Sequence, residues 1–231
     1  MPLLLTSVAA DAKPPNDMTV IRDQQYVCVM GKKGDLLTFR LNCRKHSDRP
    51  TGVTFTVIEP DSEVLREGLV PLLEKREFTC TLRRDGMHII ALECVGNTYD
   101  IAVDKLPFAY LASKRHKFHL CAHCKPLHFV VPGGKKRLSL FVRAGTTKEG
   151  ALIRIRGPQG EVVHEEQGDY DRETRIQVDV PSGTDGHTWS VVFTRPTEDD
   201  LRLDDVVLHF DSEIRPFATP RKEWAELFAK E

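Results

Sequence analysis

Apolar and polar positions alternate with a period of two over most of the chain, in runs short enough to be strands. The clearest run is ALIRIRGPQGEVV at 151–163. Ile153 and Ile155 share one face and Arg154 and Arg156 the other, then Gly157-Pro158-Gln159-Gly160 turns the chain into Glu161-Val162-Val163. About a hundred residues earlier, VTFTVIEPDSEVL at 53–65 has the same strand, proline-led turn and acidic-aliphatic exit. The correspondence extends outward: 36–41 with 137–142, 86–92 with 186–193, and 97–103 with 205–210, and both copies close on Pro-Phe-Ala, at Pro107 and Pro216. Self-similarity at one period identifies the unit that folds. The expected unit is an antiparallel β-sandwich of about a hundred residues, present twice.

The runs predict strands at 25–30, 35–43, 52–59, 63–66, 77–82, 87–94 and 98–103 in the first copy. The second has them at 116–120, 127–131, 137–142, 151–156, 161–165, 174–180, 188–194 and 205–210. Each is bounded by Gly, Pro, Asn or Asp. The expected class is all-β: two tandem jelly-roll-like sandwiches at 18–109 and 110–218, a leader or linker at 1–17, and a short helix at 219–231. Thr219 is its expected cap, with Pro220 at the first helical position. Trp224, Leu227 and Phe228 give that helix an apolar stripe that must dock on something, the same chain or another polypeptide.

The residues 128–210 resemble the pre-peptidase C-terminal type of domain and related jelly-roll modules of secreted bacterial proteins. The resemblance lies in Val-Pro-Gly-Gly at 131–134, Gly-Pro-Gln-Gly-Glu-Val-Val at 157–163 and Gly-His-Thr-Trp-Ser-Val-Val at 186–192. The stretch 35–103 follows the pattern more loosely, since Pro60-Asp61-Ser62 lacks the turn glycine. The matching positions are core and turn residues, so the resemblance implies a fold and an accessory, non-catalytic role.

Composition changes this picture little, and the distribution of charge changes it more. The chain carries 33 Lys+Arg against 34 Asp+Glu, a net charge of −1. Between Asp104 and Glu149 there is no acidic residue at all, while ten Lys and Arg fall there. A face built from Lys114, Arg115, Lys117, Lys125, Lys135, Lys136 and Arg137 is a candidate anion-binding surface, for a polysaccharide or an acidic protein partner. The alternative is a scatter of cations over several strands, paired with acids of the first copy. Nucleic acid is not expected, because the net charge is near zero and no aromatic-interleaved basic motif occurs. No window reaches the roughly 20 apolar residues of a spanning helix. Residues 1–12 are apolar and small and contain Ala10-Asp11-Ala12, like the tail of a secretory signal. This favours a secreted or periplasmic protein, or a piece of a larger chain or assembly.

Candidate chemistry is sparse. His119, Cys121, Cys124 and His128, with His123 between them, offer imidazole and thiolate donors for zinc, and a metal- or redox-active protein is the alternative function. A disulfide within Cys121-x-x-Cys124 and two bridges among Cys28, Cys43, Cys80 and Cys94 are further readings for an exported protein. Asp199-Asp200 and Asp204-Asp205 can offer oxygens to calcium without the fixed spacing of a loop site. Otherwise no cofactor is expected. Tyr170, in Gly168-Asp169-Tyr170-Asp171, is the candidate loop aromatic for a sugar ring, with Tyr99 and Tyr110 as others, whereas Trp189 reads as core. No nucleophile elbow, phosphate loop or His-Glu-x-x-His motif is present. A carboxylate pair assembled only in space remains the route to a hydrolase.

Overall fold

The computed structural model describes residues 19–122, 124–198 and 200–231. The expected leader, His123 and Asp199 lie outside the described residues. The strands are β1 (Val20–Gly31), β2 (Leu36–Arg44), β3 (Val53–Ile58), β4 (Val64–Val70), β5 (Lys75–Thr81), β6 (Gly86–Asp104), β7 (Phe108–Leu111) and β8 (Phe118–Cys121). They continue as β9 (Leu127–Val130), β10 (Arg137–Ala144), β11 (Gly150–Arg156), β12 (Val162–Asp169), β13 (Thr174–Asp179), β14 (Thr188–Thr194), β15 (Asp205–Phe210) and β16 (Phe217–Ala218), before the helix α1 (Lys222–Phe228). Every ladder between these strands is antiparallel. The class is all-β, as the alternation predicts.

The second half is a sandwich of β13-β10-β15-β8 on β12-β11-β14-β9. The first half repeats that order as β5-β2-β6-β1 on β4-β3-β6-β1, because β6 and β1 each serve both layers. In β6, residues 89–93 pair with β3, whereas 98–104 pair with β2. The crossing point is a bulge. Arg22 faces Thr98 and the next residue, Asp23, faces Cys94, so Val95, Gly96 and Asn97 have no partner on β1. Gly96 takes φ +80°, a left-handed conformation that glycine adopts at least cost. Asn97 is fully buried. Its amide donates to the carbonyls of Arg49 (2.8 Å) and Thr51 (3.0 Å), and its oxygen accepts from the backbone N–H of His46 and Ser47. One side chain thus replaces the ladder bonds that the bulge removes and fixes the loop after β2.

Both layers continue through the middle of the molecule. Ile21 of β1 pairs with Leu120 of β8 in one layer. In the other, β1 pairs with β7 and β7 with β16, and Thr219 then exchanges backbone bonds of 2.8 Å each way with His128 of β9. The expected boundary at 109/110 therefore falls inside β7, and the buried apolar cluster runs unbroken from Phe39, Phe55 and Tyr99 to Phe129, Trp189 and Phe193. The helical part of the C-terminus is shorter than 219–231. Its N-cap is Arg221, and Thr219 serves the strand bridge instead, its hydroxyl donating to the Arg221 carbonyl at 2.8 Å. Two of the three stripe residues dock on their own chain, and Leu227 stays exposed. Phe228 is fully buried with Cys28, Ala109 and Phe217, and Trp224 packs on Phe108 with ring centroids 5.4 Å apart.

Candidate functional site

Helix α1 lies over the seam between the halves, and a cleft of about 220 Å³ opens beside it. Its floor is Ile101 and Val103 of β6 with Phe108 and Tyr110 of β7, and its rim is Trp224, Arg221 and Lys125. Trp224 is only half-buried, and the Arg221 guanidinium stands 4.7 Å from its ring centre. An aromatic wall with the Arg221 guanidinium at the mouth can hold a ring that carries negative charge. Of the sequence candidates, Lys125 and Tyr110 belong to this cleft.

The other expected cations lie elsewhere. Lys114 and Arg115 are exposed in the β7–β8 turn, and Lys136 in the β9–β10 turn. Lys117 pairs with Glu173, Lys135 with Glu213 at 2.6 Å, and Arg137 with Asp179 at 2.8 Å. Those acids belong to the second half, so the charge asymmetry of the sequence is partly neutralised within that half rather than by the first copy. Tyr170 offers no exposed platform. It is buried, and its hydroxyl donates to Glu166 at 3.1 Å, because the strand end folds back to give its carbonyl to the Ala144 N–H. Tyr99 and Tyr110 are buried as well, and Trp189 is core.

The structure does not bring His119, Cys121, Cys124 and His128 together. Ala122 adopts φ +67° directly after β8, and Cys124 turns into the apolar core. His128 sits on β9 beside Ser190 and Thr219, its imidazole held below the usual range by burial and then by the Lys222 charge. All six cysteines are free thiols. Cys43 and Cys94 face each other in the core, where their mutual hydrogen bond lowers the Cys43 thiol and raises that of Cys94.

Cys121 instead closes a polar cluster at the seam. Its sulfur lies 3.1 Å from Asp205 Oδ1 and 3.9 Å from Asp204 Oδ1. Asp205 accepts from Arg22 Nη1 at 2.6 Å and lies 3.2 Å from His119 Nε2, whose other nitrogen is 2.9 Å from Asp23. Burial opposes charge on Asp205, yet contact with His119, Cys121 and Arg22 wins and brings its carboxyl down to about 2. His119 is raised: burial works against it, and Asp205 and Asp23 overcome that. The Cys121 thiol is pushed far above its ordinary value by burial and by Asp205. The donor atoms of His46, Cys121 and Asp204 all fall within 4.8 Å of one another. No sequence signal pointed to His46, Arg22 or Asp23.

No family model matches the chain, and no curated protein matches it in sequence. The resemblance to the pre-peptidase C-terminal type therefore rests on the residues that carry it. Among solved structures, the chain is similar to the M60 catalytic domain with the CBM51-1 and CBM51-2 domains from Clostridium perfringens ZmpB. The identity is 10%, over 87% of this chain and 34% of that one, with a TM-score of 0.28. It is also similar to the N-terminal CBM22-1-CBM22-2 tandem domain of Paenibacillus barcinonensis Xyn10C, at 8% identity over 86% of this chain and 79% of that one, TM-score 0.29. This chain thus spans about a third of the first. The β-sandwich assignment rests on the ladders described above.

Proposed function

We propose that the chain is a non-catalytic binding module that holds one unit of an anionic polysaccharide in the cleft beside α1. The observation that carries this reading is Trp224, half-buried at the mouth of the cleft with Arg221 and Lys125 around it. A sugar ring lays its C–H face on the indole when the exposed Arg221 side chain swings off it, and a carboxylate or sulfate on that ring then meets the guanidinium in a charge-assisted bond. The volume, about 220 Å³, is below the roughly 300–1,000 Å³ of sites that enclose a drug-sized ligand, so the cleft suits one unit of a longer polymer. The cation-only stretch between Asp104 and Glu149, which includes Lys125, favours a polyanion over a neutral glycan. The matched strand orders of the two halves support a duplication of one unit. A polymer met outside the cytoplasm fits the secreted or periplasmic setting expected from the N-terminal stretch.

The test is affinity electrophoresis and tryptophan fluorescence with polygalacturonate, with neutral dextran as control. Binding should weaken as ionic strength rises from about 0.05 to about 0.5 M, and should be lost in Trp224→Ala and weakened in Arg221→Gln, an exposed position whose change leaves the packing of Trp224 on Phe108 intact. Retention in Trp224→Ala, or equal binding of dextran, would overturn the reading. Binding of polyaspartate but not polygalacturonate would replace the polysaccharide by an acidic protein.

A further inference from the structure

The seam holds a second feature that the cleft does not use. We propose that His46, Cys121 and Asp204 form a zinc site that ties the first half of the molecule to the second.

The three donors come from three places. His46 lies in the loop after β2, Cys121 ends β8, and Asp204 immediately precedes β15. Each is held by backbone rather than left to a free loop. The N–H of His46 donates to the buried Asn97. Cys121 is the last residue of a ladder in which it faces Asp205. The Asp204 carbonyl accepts from the Ala122 N–H at 2.7 Å. Their donor atoms lie within 4.8 Å of one another. A tetrahedral zinc with bonds of roughly 2.0–2.3 Å keeps its donors about 3.3–3.8 Å apart. The Cys121–Asp204 separation of 3.9 Å is already close to that, and the exposed His46 ring is the donor with freedom to close the remainder.

The chemistry of the set selects the ion. One sulfur, one imidazole nitrogen and one carboxylate oxygen suit zinc, whereas calcium and magnesium take oxygen. Arg22 Nη1 sits 3.3 Å from His46 Nε2. A guanidinium can only donate, so the ring nitrogen facing Arg22 reaches the metal only when the exposed His46 ring turns away from that contact. Binding transfers the Cys121 proton to solvent as the sulfur–zinc bond forms, with no change of oxidation state. Asp205, held by Arg22 and close to His119, accepts the Cys121 S–H at 3.1 Å, a bond that is given up when the sulfur binds zinc. With three protein donors, the fourth position belongs to water.

The test uses the full chain, stripped with chelator and dialysed against zinc, and separately against cobalt and calcium. The expected result is one zinc per chain, a thiolate-to-cobalt charge-transfer band with cobalt, and no calcium. Cys121→Ser and His46→Ala should each weaken zinc by more than about 100-fold, beyond the roughly 10–100-fold typical of outer partners. Cys124→Ala should leave affinity and the cobalt band unchanged. His46 is exposed, so its variant keeps the test decisive if Cys121→Ser fails to fold. Less than one zinc per chain, or zinc that survives His46→Ala and is lost in Cys124→Ala, would overturn the proposal.

Discussion

Asp205→Asn measures what the charged cluster at the seam contributes to stability. Asp205 and Arg22 are 14% and 18% exposed, and their atoms lie 2.6 Å apart. A carboxyl held at about 2 against an ordinary 3.8 favours the folded state by about 2 kcal/mol once both states are ionised, at 1.36 kcal/mol per pH unit. Arg22 loses its close partner in the variant and keeps Asp23 at 3.9 Å, which brings the expected loss to about 2–3 kcal/mol. Because the folded value is the lower one, this stability is complete above the unfolded value near pH 4 and is lost as the pH falls through about 2. Urea unfolding of both proteins in chelator should therefore show a gap of about 2–3 kcal/mol at pH 6 that shrinks below about 1 kcal/mol near pH 2.5. A gap under about 0.5 kcal/mol at pH 6, or one of equal size at both pH values, refutes the electrostatic account.

Gly96→Ala should destabilise by about 1–3 kcal/mol, read from the shift of the thermal midpoint. It puts a Cβ at φ +80° and 2.9 Å from Arg49 Cδ. Tyr99→Phe should cost about 1–3 kcal/mol by urea unfolding, since the buried hydroxyl donates to the Asp23 carbonyl at 3.1 Å and leaves it unpaired when removed. Phe228→Ala should cost about 3–5 kcal/mol on the same measurement and detach α1 from β7 and β9, which reduced protection from protease at the C-terminus would report. In the native protein Cys80 should be the first thiol to react with a disulfide reagent. It alone is part-exposed, whereas burial pushes Cys28 up to about 12 and Cys124 up to about 11. Simultaneous reaction of all six would contradict the packing.

Strands flanked by strong turns were legible. The pair β11–β12 follows from the alternation at 153–156 and from Gly160, which takes φ +89° where the turn requires it. The continuity of β6 was not legible, because Val95-Gly96-Asn97 has turn composition and only the tertiary partners of Asn97 make it a bulge. Strands β7 and β16 are too short to show a period, and their pairing depends on the far end of the chain. The stripe on α1 was readable from its spacing, but the wall it faces comes from β6 and β7. The Cys-x-x-Cys spacing pointed toward a shared ligand, and the left-handed Ala122 separates the two thiols, one to the seam and one to the core. His46, Cys121 and Asp204 are brought together by the joining of two halves, which no local pattern encodes.

Strand β1 is the earliest described strand to leave a ribosome and the one on which both layers converge. Gly31 lies opposite Gly86, Val20 opposite Asp100 and Ile21 opposite Leu120. During synthesis it must wait, unpaired, until β6 has emerged, and its last neighbour comes later still. Such a chain matures late in translation, and a nascent segment that stops short of β6 presents a long apolar edge that holding chaperones would have to cover.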